Sequence, residues 1–117
     1  MYKSSKRLFR QNPQITRRLE YCVEKLKLNF NVEKIILFGS YARGEVKDFS
    51  TIDLLVIADT KLKFFDRIKK ALDKCKGGPP SIEPIMYTPS EFCNLLKQGE
   101  GFIEDALEEG IVLYNKD

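Results

Sequence analysis

The sequence predicts an α/β fold in which helices pack on a small mixed sheet of about four strands. Apolar residues at helical spacing alternate along the chain with short runs of β-branched and aromatic residues, and glycine or proline separates the two kinds of segment. The chain of 117 residues is long enough for one hydrophobic core but too short for separate catalytic and substrate domains. We therefore expect a single domain over residues 1–117, with residues 1–12 as a flexible basic arm.

Two local patterns mark where helices begin. Asn12 before Pro13 combines a helix-capping residue with proline at the first helical position. Thr88 and Glu91 form a capping box around a second such proline. The expected elements in chain order are a helix over 13–29, a strand over 32–38, a short helix over 40–43, a strand over 51–57, a helix over 64–75, a strand over 81–87, a helix over 89–98, a helical turn over 102–107 and a strand over 111–114.

Burial is also predicted for parts of these elements. Residues 51–57 are apolar apart from two positions, which favours a central strand. Pro84 has no N–H for a sheet ladder, so its strand is expected at an edge or a bulge. Tyr41 is expected at the surface. The helix over 64–75 is expected to bury an apolar stripe formed by Phe64, Phe65, Ile68, Ala71, Leu72 and Cys75.

The three cysteines, Cys22, Cys75 and Cys93, each fall among apolar residues of a helical pattern. We expect them to be reduced core residues, because no Cys-x-x-Cys spacing exists and an odd number leaves one unpaired. The chain contains no histidine, which excludes Ser-His-Asp and Cys-His nucleophiles and any histidine-ligated metal site.

The composition also predicts the cellular compartment of the protein. Free thiols favour a reducing compartment, and no apolar run approaches the ~20 residues of a membrane helix. The basic N-terminal residues are not followed by the apolar stretch of a secretory signal. We therefore expect a cytoplasmic protein with no membrane partner.

Charge is distributed unevenly along the chain. Basic residues dominate the first 18 positions and acidic residues dominate the last third, although the net charge is only +3. Such asymmetry suits attraction to phosphate or to an oppositely charged partner, and it equally suits solvated helix faces. Direct nucleic-acid binding is not the expected main role, but an RNA-binding accessory function of the basic end stays open as a lesser alternative.

One segment carries most of the chemistry. Residues 39–44, Gly-Ser-Tyr-Ala-Arg-Gly, follow an apolar strand and precede a strand that contains the acid Asp53. A Gly-Ser turn after a strand exposes N–H groups and a hydroxyl to which phosphate oxygens can bind. Glu45 and Val46 stand where a P-loop needs Lys and Ser or Thr, so that motif is excluded. Arg43 fits either phosphate neutralisation or a solvated helix position.

This combination resembles the minimal nucleotidyltransferases, or MNT proteins, of the DNA polymerase beta nucleotidyltransferase superfamily. The resemblance is strongest over residues 38–56, where a strand, the Gly-Ser turn, Ala-Arg-Gly and a strand carboxylate follow one another, and the order of elements agrees over the whole chain. It implies the nucleotidyltransferase fold and transfer of a nucleoside monophosphate from ATP or another NTP to a protein or other hydroxyl acceptor, with Mg²⁺ as cofactor. It also implies an antitoxin role beside an all-helical HEPN partner, while a homo-oligomer is left open.

The resemblance also implies roles for individual residues. Asp53 corresponds to the second of two strand aspartates and Glu83 to a third carboxylate on the next strand, which makes both of them catalytic and metal-binding candidates. The residues expected to bind the nucleotide are Gly39, Ser40, Arg43 and Gly44.

Thr51 departs from the family pattern. It occupies the position of the first strand aspartate, two residues before Asp53 on the same strand face, and offers a hydroxyl in place of an anion. Loss of that carboxylate is expected to weaken metal binding and turnover, unless Asp48 in the preceding loop compensates. Two interpretations therefore remain, namely an active nucleotidyltransferase and a catalytically degenerate binding module that neutralises a HEPN partner by occupation.

Overall fold

The computed structural model describes residues 12–47, 50–99 and 101–117. Within these residues every expected helix and strand is present, with small shifts at the ends. Most of the predicted basic arm lies outside the described residues, but Asn12 is described and its side chain accepts a hydrogen bond from the N–H of Ile15 at 3.2 Å. The elements are α1 (Pro13–Asn29), β1 (Asn31–Phe38), α2 (Ser40–Arg43), β2 (Ile52–Asp59), α3 (Phe64–Cys75), β3 (Ile82–Tyr87), α4 (Pro89–Gln98), α5 (Gly101–Glu109) and β4 (Ile111–Asn115).

The strands form a mixed four-stranded sheet in the order β3-β2-β1-β4. β1 pairs antiparallel with both β2 and β4, whereas β2 and β3 run parallel. The predictions of a central position for β2 and an edge position for the strand with Pro84 are both confirmed, since a proline on an edge strand leaves no ladder donor missing inside the sheet. The predicted α/β fold with a small mixed sheet is therefore confirmed.

Helices cover both faces of the sheet. α1 and α3 pack on one face, which we call the α1/α3 face, and bury the larger apolar cluster, including Leu19, Leu26 and Leu54. α4 and α5 pack on the other, the α4/α5 face, over a smaller cluster of Ile36, Leu55, Ile103 and Ala106. Because strand side chains alternate between faces, each residue of β2 is assigned to one of these two environments.

Each of the three cysteines departs in one respect from the expectation of a reduced core residue. Cys22 of α1 and Cys75 of α3 are buried as predicted, but they form a disulfide with their Cα atoms 4.8 Å apart. The bond crosses a separation of 53 residues that becomes close only when both helices pack on the same sheet face. Cys93 is a free thiol but is exposed on α4. The cysteines therefore do not support a reducing compartment.

The predicted apolar stripe of α3 is only partly correct. Ala71 and Cys75 are buried as expected, whereas Phe65 is 77% exposed and Leu72 also faces outward. The helix is rotated so that Arg67 enters the interior, because several oxygen acceptors meet its guanidinium there. Among the described residues, no helix combines the length and apolar character needed to cross a membrane.

Candidate active site

The Gly-Ser turn lies directly against the carboxylate of Asp53. Gly39 has a φ of 77°, a region that residues with a Cβ rarely adopt. A Cβ placed on Gly39 would lie 2.6 Å from Oδ2 of Asp53, closer than any non-bonded carbon–oxygen contact allows. Glycine is therefore required here for two independent reasons, its backbone conformation and the approach of the acid. The sequence prediction of a turn beside a carboxylate is matched by this contact.

The short helix α2 holds the turn in place. Tyr41 is buried at 6% exposure, so its expected surface position is wrong; the ring packs into the cluster on the α1/α3 face and anchors α2 to the sheet. Among the described residues, no backbone carbonyl accepts the N–H of Ser40 or of Tyr41. Gly44 ends the helix at a φ of 74°. The turn thus presents donors and a hydroxyl next to Asp53.

Asp53, Phe38 and Glu83 form one row across three strands. In the sheet register Phe38 of β1 lies opposite Asp53 of β2, and Asp53 lies opposite Glu83 of β3. Residues paired in this way point to the same face, at a strand spacing of about 4.8 Å. The next row contains Ile36, Leu55 and Ile85, which identifies the face as the one under α4 and α5. The fold therefore brings together the two carboxylates that the sequence singled out.

Asp53 is poorly compensated for a half-buried acid. Thr51 donates a hydrogen bond from Oγ1 to Oδ1 of Asp53 at 3.1 Å. Burial nevertheless raises the pKa of Asp53 above its ordinary value, and the Thr51 hydrogen bond and the charge of Arg43 offset this only in part. Thr51 therefore acts as a neutral donor to the acid instead of a second anion beside it.

Arg43 already has two carboxylate partners in this structure. Its guanidinium contacts Glu45 at 2.8 Å and Glu109, at the end of α5, at 3.3 Å. These contacts raise the pKa of Arg43, with the Glu45 hydrogen bond as the main cause. Because the side chain is largely exposed, it can exchange these partners for phosphate oxygens at little cost. Sequence reasoning did not identify Glu109, which lies 66 residues from Arg43 and carries no local signal.

Aromatic rings form one side of the acid row. The ring of Phe102, near the start of α5, lies 6.1 Å from Phe38 and 6.4 Å from Tyr87 between ring centres. Phe38 and Tyr87 stand on strands either side of β2, so Phe102 crosses the sheet face beside the row that contains Asp53. The row that contains Asp53 therefore begins at an aromatic surface formed by Phe38 and Phe102.

The two carboxylates of this site, Asp53 and Glu83, suit one hard cation such as Mg²⁺ better than a pair of ions. Within residues 12–47, 50–99 and 101–117, no group of three or more histidine, cysteine, aspartate or glutamate side chains is arranged to hold a metal ion. Asp48, the suggested compensating acid, lies outside the described residues. Mg²⁺ is commonly held by one or two carboxylates together with substrate phosphates, and Asp53 with Glu83 can supply that minimum.

Comparison with known proteins identifies the family to which the chain belongs. The profile of the family described as polymerase beta, nucleotidyltransferase matches residues 20–117, and the chain belongs to this family. A protein of Methanocaldococcus jannaschii named "Putative protein adenylyltransferase MJ0604" is 37% identical over 90 residues, which is 77% of this chain and 86% of that protein. A second protein of the same organism, "Putative protein adenylyltransferase MJ1215", is 50% identical over 46 residues, 37% of this chain and 54% of that protein.

Solved structures share the fold. A nucleotidyltransferase from Sulfolobus solfataricus, itself described as putative, superposes with a TM-score of 0.63 at 20% identity, over 93% of this chain and 87% of the other. A chain from a crystal structure described as "the toxin-antitoxin with AMP-PNP" superposes with a TM-score of 0.56 at 18% identity, over 84% of this chain and 73% of the other. At these identities the superpositions establish the nucleotidyltransferase fold.

Proposed function

We propose that this protein transfers a nucleoside monophosphate, with AMP favoured, from a nucleoside triphosphate to a hydroxyl group of a protein. The observation that carries the proposal is the contact between the turn at Gly39 and the carboxylate of Asp53. It puts the N–H donors of the turn beside the acid, an arrangement that suits an enzyme reacting at phosphorus. The adenylyltransferase names of the two Methanocaldococcus proteins support AMP as the transferred group.

The proposed roles follow from the positions of the side chains. The N–H groups of Ser40 and Tyr41 and the hydroxyl of Ser40 would bind phosphate oxygens, and Arg43 would neutralise phosphate charge after leaving Glu45 or Glu109. The acceptor oxygen would form a bond to the α-phosphorus while the bond to pyrophosphate breaks. The acceptor proton would leave to water or to a carboxylate of the acid row.

Asp53 and Glu83 would hold Mg²⁺ together with the substrate phosphates. The ion would supply charge neutralisation at the transferring and leaving oxygens. Thr51 keeps the hydrogen-bonded oxygen of Asp53 oriented, but it adds no negative charge to the site. We therefore expect slow turnover compared with a site that has a carboxylate at position 51.

A second candidate function rests on Thr51 itself. The chain can serve as a binding module that neutralises a partner by occupation, in which case the family fold is retained and catalysis is lost. The structural neighbour from a toxin-antitoxin crystal structure supports a protein partner for either function, and we propose a HEPN-type helical toxin as that partner. A cytoplasmic location remains a prediction that cell fractionation tests.

The direct test follows transfer of label. Purified protein with Mg²⁺, a candidate HEPN partner and ATP labelled at the α-phosphate should yield a labelled partner, while ATP labelled at the γ-phosphate should not. Asp53→Asn should abolish labelling. Asp59→Asn, a change of the same charge at the exposed far end of β2, should leave it intact.

Thr51→Asp separates the two candidate functions. If turnover is limited by the missing carboxylate, the variant should label its partner at least about tenfold faster. If the native protein labels no partner, and Asp53→Ala still neutralises the toxin in cells, the binding-module function is correct and the enzymatic proposal fails.

A further inference from the structure

A cationic cleft lies on the opposite side of the molecule from the acid row. It opens between α1 and the residues that follow α3, with a volume of about 460 Å³. Its lining includes Arg17, Arg18, Tyr21, Lys76, Gly77 and Gly78. Both bordering helices pack on the α1/α3 face, whereas Asp53 and Glu83 face the other way. The proposed transfer reaction does not use this cleft.

Arg18 forms the floor of the cleft. Its Nη1 donates to the carbonyl oxygen of Pro80, which holds the glycine-proline segment against α1. Its Nη2 is buried and has no hydrogen-bond partner among the described residues. A Cβ built on Gly77 would lie 3.5 Å from Nε of Arg18, so the guanidinium packs closely against this glycine. A fixed positive charge therefore lies beneath the opening.

The rim of the cleft adds cations and unpaired donors. Arg17 makes no ion pair with another described residue, and Lys76 pairs only with the exposed Asp73, at 3.2 Å. The N–H groups of Gly77 and Gly78 donate to no backbone carbonyl in the described part of the chain. The acids of α1 do not offset this charge here, because Glu20 and Glu24 line a different depression next to β4.

An exposed aromatic ring stands beside these charges. Tyr21 is 57% exposed although its side chain is large and mostly apolar. Guanidinium and ammonium groups together with glycine N–H donors bind phosphate oxygens. A tyrosine ring at the edge of such a groove stacks on nucleobases of any sequence. A cleft of a few hundred cubic ångströms is also large enough for one nucleotide.

We propose that this cleft is a second binding site whose ligand is a nucleotide phosphate, with its base against Tyr21 and its phosphate between Arg17 and Lys76. The phosphate belongs either to a free nucleotide or to a nucleotide within an RNA strand. We expect binding without chemical conversion, since the described residues that line the cleft include no acid and their cysteine is held in the disulfide. The proposal is independent of the transfer reaction.

Two probes test the proposal on the full chain. One is a fluorescein-labelled single-stranded RNA octamer, followed by fluorescence anisotropy, and the other is AMP with a fluorescent ribose label; inorganic phosphate serves as competitor. Arg17→Ala combined with Lys76→Ala should weaken binding of the active probe by about tenfold or more, and Tyr21→Ala by about fivefold or more. Binding of the octamer alone identifies a strand as the source of the phosphate, and binding of AMP identifies the free nucleotide.

A matched variant controls for net charge. Lys61→Ala combined with Lys69→Ala removes the same charge from exposed positions outside the cleft and should change the affinity less than about twofold. In an Asp53→Asn background, which removes nucleotide bound at the acid row, Arg17→Ala with Lys76→Ala should still cause the same loss of affinity, which separates this site from the acid row. Circular dichroism confirms that each variant is folded. The proposal is overturned if both double variants lose affinity equally, or if neither probe binds the native protein at about 1 mM.

Discussion

Two charged clusters in this molecule are built in opposite ways. The cluster around Arg67 is saturated, because its guanidinium donates to Leu62 O at 2.7 Å, to Met86 O at 3.4 Å and to both carboxylate oxygens of Glu91 at 2.6 and 3.1 Å. Among the described residues, in contrast, Asp53 receives one hydrogen bond, from Thr51. The Arg67 cluster joins α3, β3 and α4. Asp53 lies instead beside a turn in which the N–H groups of Ser40 and Tyr41 donate to no backbone carbonyl of the described residues.

The pKa shifts of the two acids reflect this difference. The hydrogen bond from Arg67 lowers the pKa of Glu91, which also accepts from the backbone of Thr88 in the capping box. Burial raises the pKa of Asp53. A saturated ion pair stabilises the fold, whereas an undercompensated acid destabilises it and is retained for binding or catalysis. The contrast therefore supports the proposal that Asp53 belongs to the functional site.

The largest expected effect on stability comes from Arg67. Arg67→Ala should lower the free energy of unfolding by about 3 kcal/mol, because a buried side chain that makes several hydrogen bonds is lost. Glu91 is partly exposed and regains water, so the loss is smaller than for a fully buried pair. Urea denaturation measures it.

Arg67→Met is the matched variant, since it keeps the apolar stem of the side chain without the charge. It should recover part of the loss. If Arg67→Ala lowers the free energy of unfolding by less than about 0.5 kcal/mol, the Arg67 cluster contributes no more than an ordinary surface ion pair. The contrast with Asp53 would then be wrong.

Gly39 tests the other cluster, with a smaller effect on stability. Gly39→Ala and Gly44→Ala both place a Cβ on a residue of positive φ, at a cost of about 1 kcal/mol each. Only at Gly39 would the new carbon meet Asp53, whereas nothing lies within 4 Å at Gly44. Gly39→Ala should therefore lose about 1 kcal/mol more than Gly44→Ala, as well as nucleotide binding. Thermal melts and nucleotide titration measure the two effects, and equal losses would show that Asp53 does not lie against the turn.

The saturated cluster and the acid row also differ in how far sequence could predict them. The turn at Gly39, the strand acid Asp53 and the missing acid at Thr51 follow from short motifs, in which each residue constrains its near neighbours. The parallel pairing of β2 and β3 then places Glu83 beside Asp53, as the resemblance to the nucleotidyltransferases implied.

Contacts between distant helices were not predictable in this way. Arg67 meets Glu91 across 24 residues, and Cys22 meets Cys75 across 53, after helices pack on the sheet. Helical periodicity places Phe65 and Leu72 on an apolar stripe. It cannot show that the interior contains hydrogen-bond acceptors for the guanidinium of Arg67. The rotation of α3 is therefore decided by tertiary hydrogen bonds instead of by apolar spacing.

The smallest expected effect is the pH dependence of Asp53→Asn. A raised pKa means that the folded state favours the protonated acid, so stability from this group is present below the unfolded value near 3.8 and is lost as pH rises through the folded pKa. The neutral asparagine avoids that loss. Asp53→Asn should melt slightly higher than the native protein at neutral pH, by at most a few degrees, and the difference should shrink as pH falls toward about 4.

Glu91→Gln should show the opposite sign, because stability from a lowered pKa is present above the unfolded value near 4.5 and is lost as pH falls through the folded pKa. Thermal melts across this range measure both, with Asp59→Asn as the control at an exposed strand end; if Asp53→Asn melts lower than the native protein at neutral pH, Asp53 is a structural acid like Glu91.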